Sequence, residues 1–335
     1  MKTAEYLWNL AKSPKQFGLP ILSFPAVQHM DANILQLTSD SELQAQAMKI
    51  AADKMPAAAS VSLMDLSVEA EAFGASVTFS AHEVPTISGQ MVSDLDSAVA
   101  LNVPPVGSKR TGVYVEGVRL AKERITDRPV LAGCIGPYSL AGRLMDVTEI
   151  MYLCYDEPEA VHEVLKKATQ FLINYCLAFR SAGADGVVIA EPLAGLLSPS
   201  MNKEFSCPYV SEIIDAVQTE EFSVIYHNCG NAVLALLPDL FAMNAAAFHF
   251  GNAVDMRDVL RQAPEDKLCM GNIDPAGEFA CGTPESIEKA TLSLLQDCGS
   301  CSHFLISSGC DVPPHAKWEN IDAFFHAIEA YNQKQ

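Results

Sequence analysis

EPEAVHEVLKKATQFLINYCLAFRSAGADGVVIAEP, residues 157–192, holds one complete passage from helix to strand and decides the fold class. Its first part, Glu157–Ser181, is amphipathic, opens with acidic residues that suit a helix N-terminus, and ends near Gly183. The part that follows, DGVVIAEP (185–192), is apolar without alternation, as expected of a parallel strand buried on both faces. Seven further runs of this kind occur: PILSFPAV (20–27), AASVSLMD (58–65), PVLAGCIG (129–136), FSVIYHNC (222–229), AAFHFGN (246–252), KLCMGNID (267–274) and HFLISSGC (303–310). Eight strands separated by helical stretches predict an α/β chain folded as a single (β/α)8 TIM barrel, in preference to a doubly wound sheet. Between Asp65 and Pro129 the spacing is too long for one helix, so an insertion is expected after the second strand, with ASVTFS and HEVPTISG as a candidate hairpin within 75–105. A helical lead-in of about twenty residues precedes the first run, and the whole of 1–335 reads as one domain.

Composition narrows the function. Hydrophobic residues make up 49% and charged residues 19%, enough for a sizeable core. The net charge of −19 repels phosphate backbones and anionic lipid, so neither nucleic acid nor a membrane surface is an expected partner. The start MKTAEYLWNLAKSPKQFG has no apolar core of a signal peptide. The apolar stretch 231–250 is broken by Pro238 and Asp239 and reads as a buried helix followed by a core strand. Ten cysteines in a chain that needs no staples point to a reducing, cytoplasmic setting with free or metal-bound thiols.

Side chains able to do chemistry gather at the C-terminal ends of the candidate strands, where such barrels build their sites. Residues two apart on a strand face the same way, so His227 and Cys229 can share one spot, while Cys310 closes the last run. Ends of non-neighbouring strands meet over the mouth of a barrel. One imidazole and two thiolates there would form an open tetrahedral site of the catalytic zinc type, and sulfur donors favour zinc over magnesium, calcium or manganese. Gly230 and Gly309 are expected to let the backbone turn tightly beside the ion. Spacing alone leaves open that these cysteines are simply packed in a core. Glu191 and His249 are candidates for a fourth ligand or for orienting His227, and Asn252 and Asp274 for contacting substrate or partner; each also reads as a structural hydrogen-bonding residue. The pair Cys298 and Cys301 precedes the last strand, which places it at the opposite face of the barrel.

YHNCGN (226–231) and SSGCDVPP (307–314) resemble the zinc motif of the methylcobamide:coenzyme M methyltransferases, and MDLSVEAEAFG (64–74) is similar to that branch. GPYSLAGRLM (136–145), GADGVVIAEPLAGLLSP (183–199) and GNIDP (271–275) resemble motifs of the wider uroporphyrinogen decarboxylase superfamily. The matches run in order from about residue 60 to residue 320. The resemblance implies a barrel enzyme whose zinc, held by His227, Cys229 and Cys310, binds a small acceptor thiol. It implies a methylated corrinoid (methylcobamide), carried on a small separate protein, as the methyl donor. Only a thiolate attacks carbon well, and coordination to a dication deprotonates a thiol outright.

Three other functions remain open. Uroporphyrinogen decarboxylation handles a polycarboxylate, yet no Lys or Arg lies between Lys15 and Lys49, the span after the first run. A folate or another acceptor would keep the zinc and change the nucleophile. A silent barrel could bind a corrinoid or its carrier without turnover. Arg143 and Lys203 are the cations available for an anionic acceptor head group.

Overall fold

The computed structural model describes residues 2–334. The strands are β1 (Ser60–Val61), β2 (Ser76–Thr78), β3 (Thr86–Ser88), β4 (Val130–Ile135), β5 (Gly186–Ala190), β6 (Ser223–Asn228), β7 (Ala247–Phe250), β8 (Cys269–Ile273) and β9 (Phe304–Ser308). Seven of them form one curled sheet in the order β1-β4-β5-β6-β7-β8-β9, and every neighbouring pair in it is parallel. β2 and β3 pair antiparallel and make the hairpin expected in the insertion. The remaining connections are helical, among them Pro158–Ser181, which ends where Gly183 takes φ +92° and the Ala184 N–H reaches back to the Phe179 carbonyl at 3.1 Å. That left-handed turn is open to glycine and closed to most side chains. The stretch 231–250 forms the helix Val233–Ala242 and then β7.

The strand expected at 20–27 does not form. Pro20 and Pro25 lack the N–H that a ladder requires, and Pro25 instead opens a 3-10 turn, Phe24–His29. What remains of the eighth position is a short bridge. Gly18 pairs in parallel with Ile306, the Leu19 N–H donates to the Ile306 carbonyl at 2.9 Å, and the Ala58 N–H donates to the Gly18 carbonyl at 2.8 Å. The segment therefore touches both edges of the curled sheet, β9 on one side and the approach to β1 on the other. An α/β barrel of eight regular strands is corrected to seven strands and this bridging segment.

Alternation along the strands sorts side chains into two cores. Val187, Ile189, Val224, Tyr226 and Phe248 face outward and pack under the helices. Val188, Ile225, Ala247, Met270 and Leu305 face inward and fill the ring. The helix Thr3–Ala11 adds Leu7 and Ala11 to the inner core, and Tyr6 donates to the Ala58 carbonyl just before β1, so this helix covers the N-terminal end of the strands. Burying Leu7 there contributes roughly 1.5–3 kcal/mol. The opposite end is left for chemistry. No helix among the described residues is long and apolar enough to cross a membrane.

Candidate metal centre

The parity that puts Ile225 inside the ring also puts His227 and then Cys229 inside, one step nearer the mouth at a time. His227 stands in register with His249 of β7, and Ser307 of β9 lies two residues beyond the inward Leu305. Above an apolar layer of Val188, Ile225, Ala247 and Leu305, the interior thus turns polar. Cys310 arrives at the same level from the loop that leaves β9.

His227, Cys229 and Cys310 each offer a ligand atom, and these atoms lie within 4.8 Å of one another. They are the one such trio of His, Cys, Asp or Glu among the described residues. Donors around a tetrahedral zinc stand about 3.5–3.8 Å apart, so a modest contraction suffices to bind one. The Nε2 atom of His227 is buried and has no hydrogen-bond partner, as a nitrogen kept for a metal would be. The nearness of the two sulfurs pulls Cys229 below the ordinary thiol range and, together with burial, pushes Cys310 above it. A dication would hold both as thiolates. Two sulfurs and one imidazole fit zinc, and nothing in the set suits a hard oxygen-seeking ion.

Glycines let the surrounding loops close in. A Cβ on Gly251 would sit 2.5 Å from the Cys229 Cβ, and one on Gly309 would sit 2.7 Å from the Asn252 nitrogen. A Cβ on Gly230 would sit 2.4 Å from the Gly195 Cα. Gly230 and Gly309 are not among the glycines with positive φ. Gly309 lies in the bend that takes the chain out of β9, and the lack of a side chain at both glycines permits close approach of neighbouring backbone.

The other expected residues go to different places. Glu191 is fully buried, and its carboxylate accepts from the Tyr138 N–H at 2.8 Å, the Ser139 N–H at 3.0 Å and the Ser139 hydroxyl at 2.7 Å. It caps the helix Pro137–Met145 and lies outside the metal trio. Burial pushes its carboxyl up to about 7, against the pull of those donors. His249 does reach the trio: its Nδ1 is 2.8 Å from the His227 Nδ1, and its Nε2 is 2.7 Å from the Ser307 hydroxyl. With both ring nitrogens engaged it has none for a metal. Burial and the neighbouring His227 hold it well below the usual imidazole range. Asn252 is exposed, and Asp274 caps the turn Pro275–Ala280 through the Ala276 and Gly277 N–H groups, both at 2.9 Å. Both line a surface groove with Arg257 and Asn272 that does not include the trio. Cys301 sits 3.4 Å from His303 at the start of β9, away from the mouth. Arg143 is half-buried on the helix that Glu191 caps, and burial lowers its pKa.

Ser307 and Asp311 gain weight from the structure. Ser307 is fully buried beside His249. One oxygen of Asp311 is buried without a partner next to Cys310, and burial raises its carboxyl well above the ordinary range. A hydroxyl two residues past an inward leucine is the sequence signal that marks Ser307, and it needs the register of β7 against β8 and β9 to be read.

Comparison with known proteins bears on the sequence as a whole and on the fold. The sequence profile described as uroporphyrinogen decarboxylase (URO-D) matches residues 14–331. The methylcobamide:CoM methyltransferase MtbA of Methanosarcina acetivorans is 26% identical over 275 residues, covering 80% of this chain and 78% of that protein. A uroporphyrinogen decarboxylase of Xylella fastidiosa is 23% identical over 336 residues, covering 96% of this chain and 93% of that protein. Among solved structures, a methyltransferase from Methanosarcina mazei superposes with a TM-score of 0.85 at 21% identity and covers 98% of both chains. A B12-independent methionine synthase from Shewanella superposes with a TM-score of 0.62 at 12% identity, covering 97% of both chains. These two likenesses concern the fold.

Proposed function

We propose, from the premise that this chain belongs to the uroporphyrinogen decarboxylase family, that it is a zinc-dependent methyltransferase moving a methyl group from a methylated corrinoid to a thiol. The observation that carries this reading is the convergence of His227, Cys229 and Cys310 at the mouth of the ring. Relatives of both activities are similar to this chain, so overall likeness does not choose between them. The trio favours methyl transfer, because a decarboxylase acting on a polyanion has no use for two soft sulfurs. The stretch between Lys15 and Lys49 offers such a substrate no cation, and it places the buried Phe24, Pro25 and Ala26 at the rim instead.

In this reading, a zinc ion held by the trio supplies the positive charge that keeps an acceptor thiol deprotonated at neutral pH and fixes its sulfur. The residues do the rest. Cys229 and Cys310 bring two negative charges, so an acceptor sulfur is not drained of electron density as three neutral imidazoles would drain it. His227, anchored through His249, holds its nitrogen in one orientation. The apolar layer of Val188, Ile225 and Leu305 closes the ring beneath the site and keeps water out from below. Glu191 fixes the helix Pro137–Met145 beside it. The net reaction joins a thiolate sulfur to a methyl carbon, and the bonding electron pair stays with the donor. The expected setting is the cytoplasm, with a small corrinoid protein as donor partner and a compound such as coenzyme M as acceptor.

The test mixes enzyme, methylcobalamin and a panel of thiols and follows formation of Co(I) by its absorption. The expected result is turnover with about one zinc per chain, with both lost in Cys310→Ala. Full turnover and full zinc in Cys310→Ala would end the proposal.

A further inference from the structure

Three short contacts in the buried polar layer form a line. The Ser307 hydroxyl is 2.7 Å from the Leu19 carbonyl oxygen, the His249 Nε2 is 2.7 Å from the Ser307 hydroxyl, and the His227 Nδ1 is 2.8 Å from the His249 Nδ1. Each contact needs one proton between its two atoms. A main-chain carbonyl has none to give, so Ser307 donates to Leu19. The serine has only one proton, so the one between it and His249 comes from the Nε2 of His249. His249 is buried, with its neighbours a second imidazole and a hydroxyl, so it carries a single ring proton and its Nδ1 is a lone pair. The proton between the two imidazoles therefore sits on the Nδ1 of His227. That leaves the Nε2 of His227 as a bare lone pair, and this is the buried atom without a partner on the one histidine of the metal trio.

We infer that Ser307 and the main-chain carbonyl of Leu19 act as positioning groups that fix the tautomer of His227, making the segment that bridges the sheet edges a working part of the metal centre. The direction of the whole chain is set by one acceptor that cannot reverse. The same segment is held to β9 and the loop beyond it at three further points: the Leu19 N–H on Ile306 at 2.9 Å, the Ile21 N–H on the Ser308 hydroxyl at 3.0 Å, and the Ile21 carbonyl accepting from the Val312 N–H at 2.9 Å. Residues 18–22 lie far from Cys229 in the chain and carry no ligand, yet they determine which nitrogen of His227 is free. The proton order follows from these distances alone; its consequence for metal affinity rests on the proposed zinc site.

Nitrogen-15 NMR of the metal-free protein, with labelled histidine, reads the tautomers directly. The expected spectrum has the His227 proton on Nδ1 and the His249 proton on Nε2. A spectrum with His227 protonated on Nε2 overturns the inference, and it decides the matter without any variant and without metal. In Ser307→Ala the order is no longer enforced, so both histidines should show mixed tautomers and zinc affinity should fall about 10–100-fold. Ser307→Thr keeps the hydroxyl and should restore the wild-type spectrum and affinity. Unchanged affinity in a folded Ser307→Ala overturns the relay while leaving the metal site standing. A wild-type protein with the expected tautomers that takes up no zinc overturns the metal reading and leaves the relay standing.

Discussion

Gly251→Ala tests the site through a residue that binds nothing. The added Cβ would lie 2.5 Å from the Cβ of Cys229 and 2.6 Å from its Cα. Carbon atoms in ordinary contact stand about 3.5–4 Å apart, so one of the two backbones must move by about 1 Å. Gly251 follows β7 and its N–H donates to the Asn228 carbonyl at 3.1 Å, so the two loops are tied together and the strain falls on the ligand loop. Metal–ligand distances tolerate deviations of about 0.2 Å, several times less than the required shift. Cys229 should therefore be lost as a good ligand, lowering zinc affinity at least about a hundredfold, or about 2.8 kcal/mol. The metal-free protein should lose only about 1–3 kcal/mol, the range for overpacking. Competition with a chromophoric chelator gives the affinity, and thermal melting of the metal-free form gives the stability. A folded Gly251→Ala that holds zinc within twofold of wild type would refute the claim that close packing of this loop positions the ligand.

Other outcomes follow from single side chains. Glu69 is buried, with one carboxylate oxygen accepting from the Ile135 N–H at 3.0 Å and the other without a partner, and burial pushes it up to about 8. The folded state thus holds a proton that the unfolded chain releases near pH 4.5. Its stabilising effect is complete below that pH and is lost as pH rises through about 8, by up to about 5 kcal/mol. Glu69→Gln should flatten the decline in denaturant midpoint across this window, and an unchanged slope would contradict the assignment. Since Cys310 is raised above the usual thiol range, zinc must displace its proton, and apparent affinity should climb at least about tenfold per pH unit between pH 6 and 8. A pH-independent binding curve would show that Cys310 is not a ligand. Glu191→Ala leaves buried N–H donors at Tyr138 and Ser139 without an acceptor, and should cost about 2–4 kcal/mol in melting experiments while zinc stays bound. Loss of zinc in a folded Glu191→Ala would instead make this carboxylate a ligand.

Much of this architecture is legible in the bare sequence, and the exceptions have physical causes. Runs such as GVVIA and SVIYHN are apolar on both faces and become strands at those places. The run at 20–27 has the same hydrophobicity, but its two prolines remove ladder donors, and a reading weighted by hydrophobicity overlooks that cost. His227, Cys229 and Cys310 can be picked out because ligand chemistry is tied to residue type and strands bring their ends together. The role of Glu191 cannot be read that way, because capping depends on β4 and β5 being neighbours. Nor can the work of Gly251, Ser307 and Leu19, which consists of distances between segments far apart in the chain. A glycine reports a need for space or for an unusual φ, and only coordinates tell which; Gly183 shows the second, and Gly230 the first.

X-ray absorption at the zinc edge, recorded before and after adding acceptor thiol, bears most directly on the central claim. The predicted spectrum changes from two sulfurs with nitrogen and oxygen to three sulfurs with one nitrogen, at bond lengths of about 2.3 Å for sulfur and 2.0 Å for nitrogen. A shell dominated by oxygen, or a sulfur count that does not rise with thiol, would contradict it.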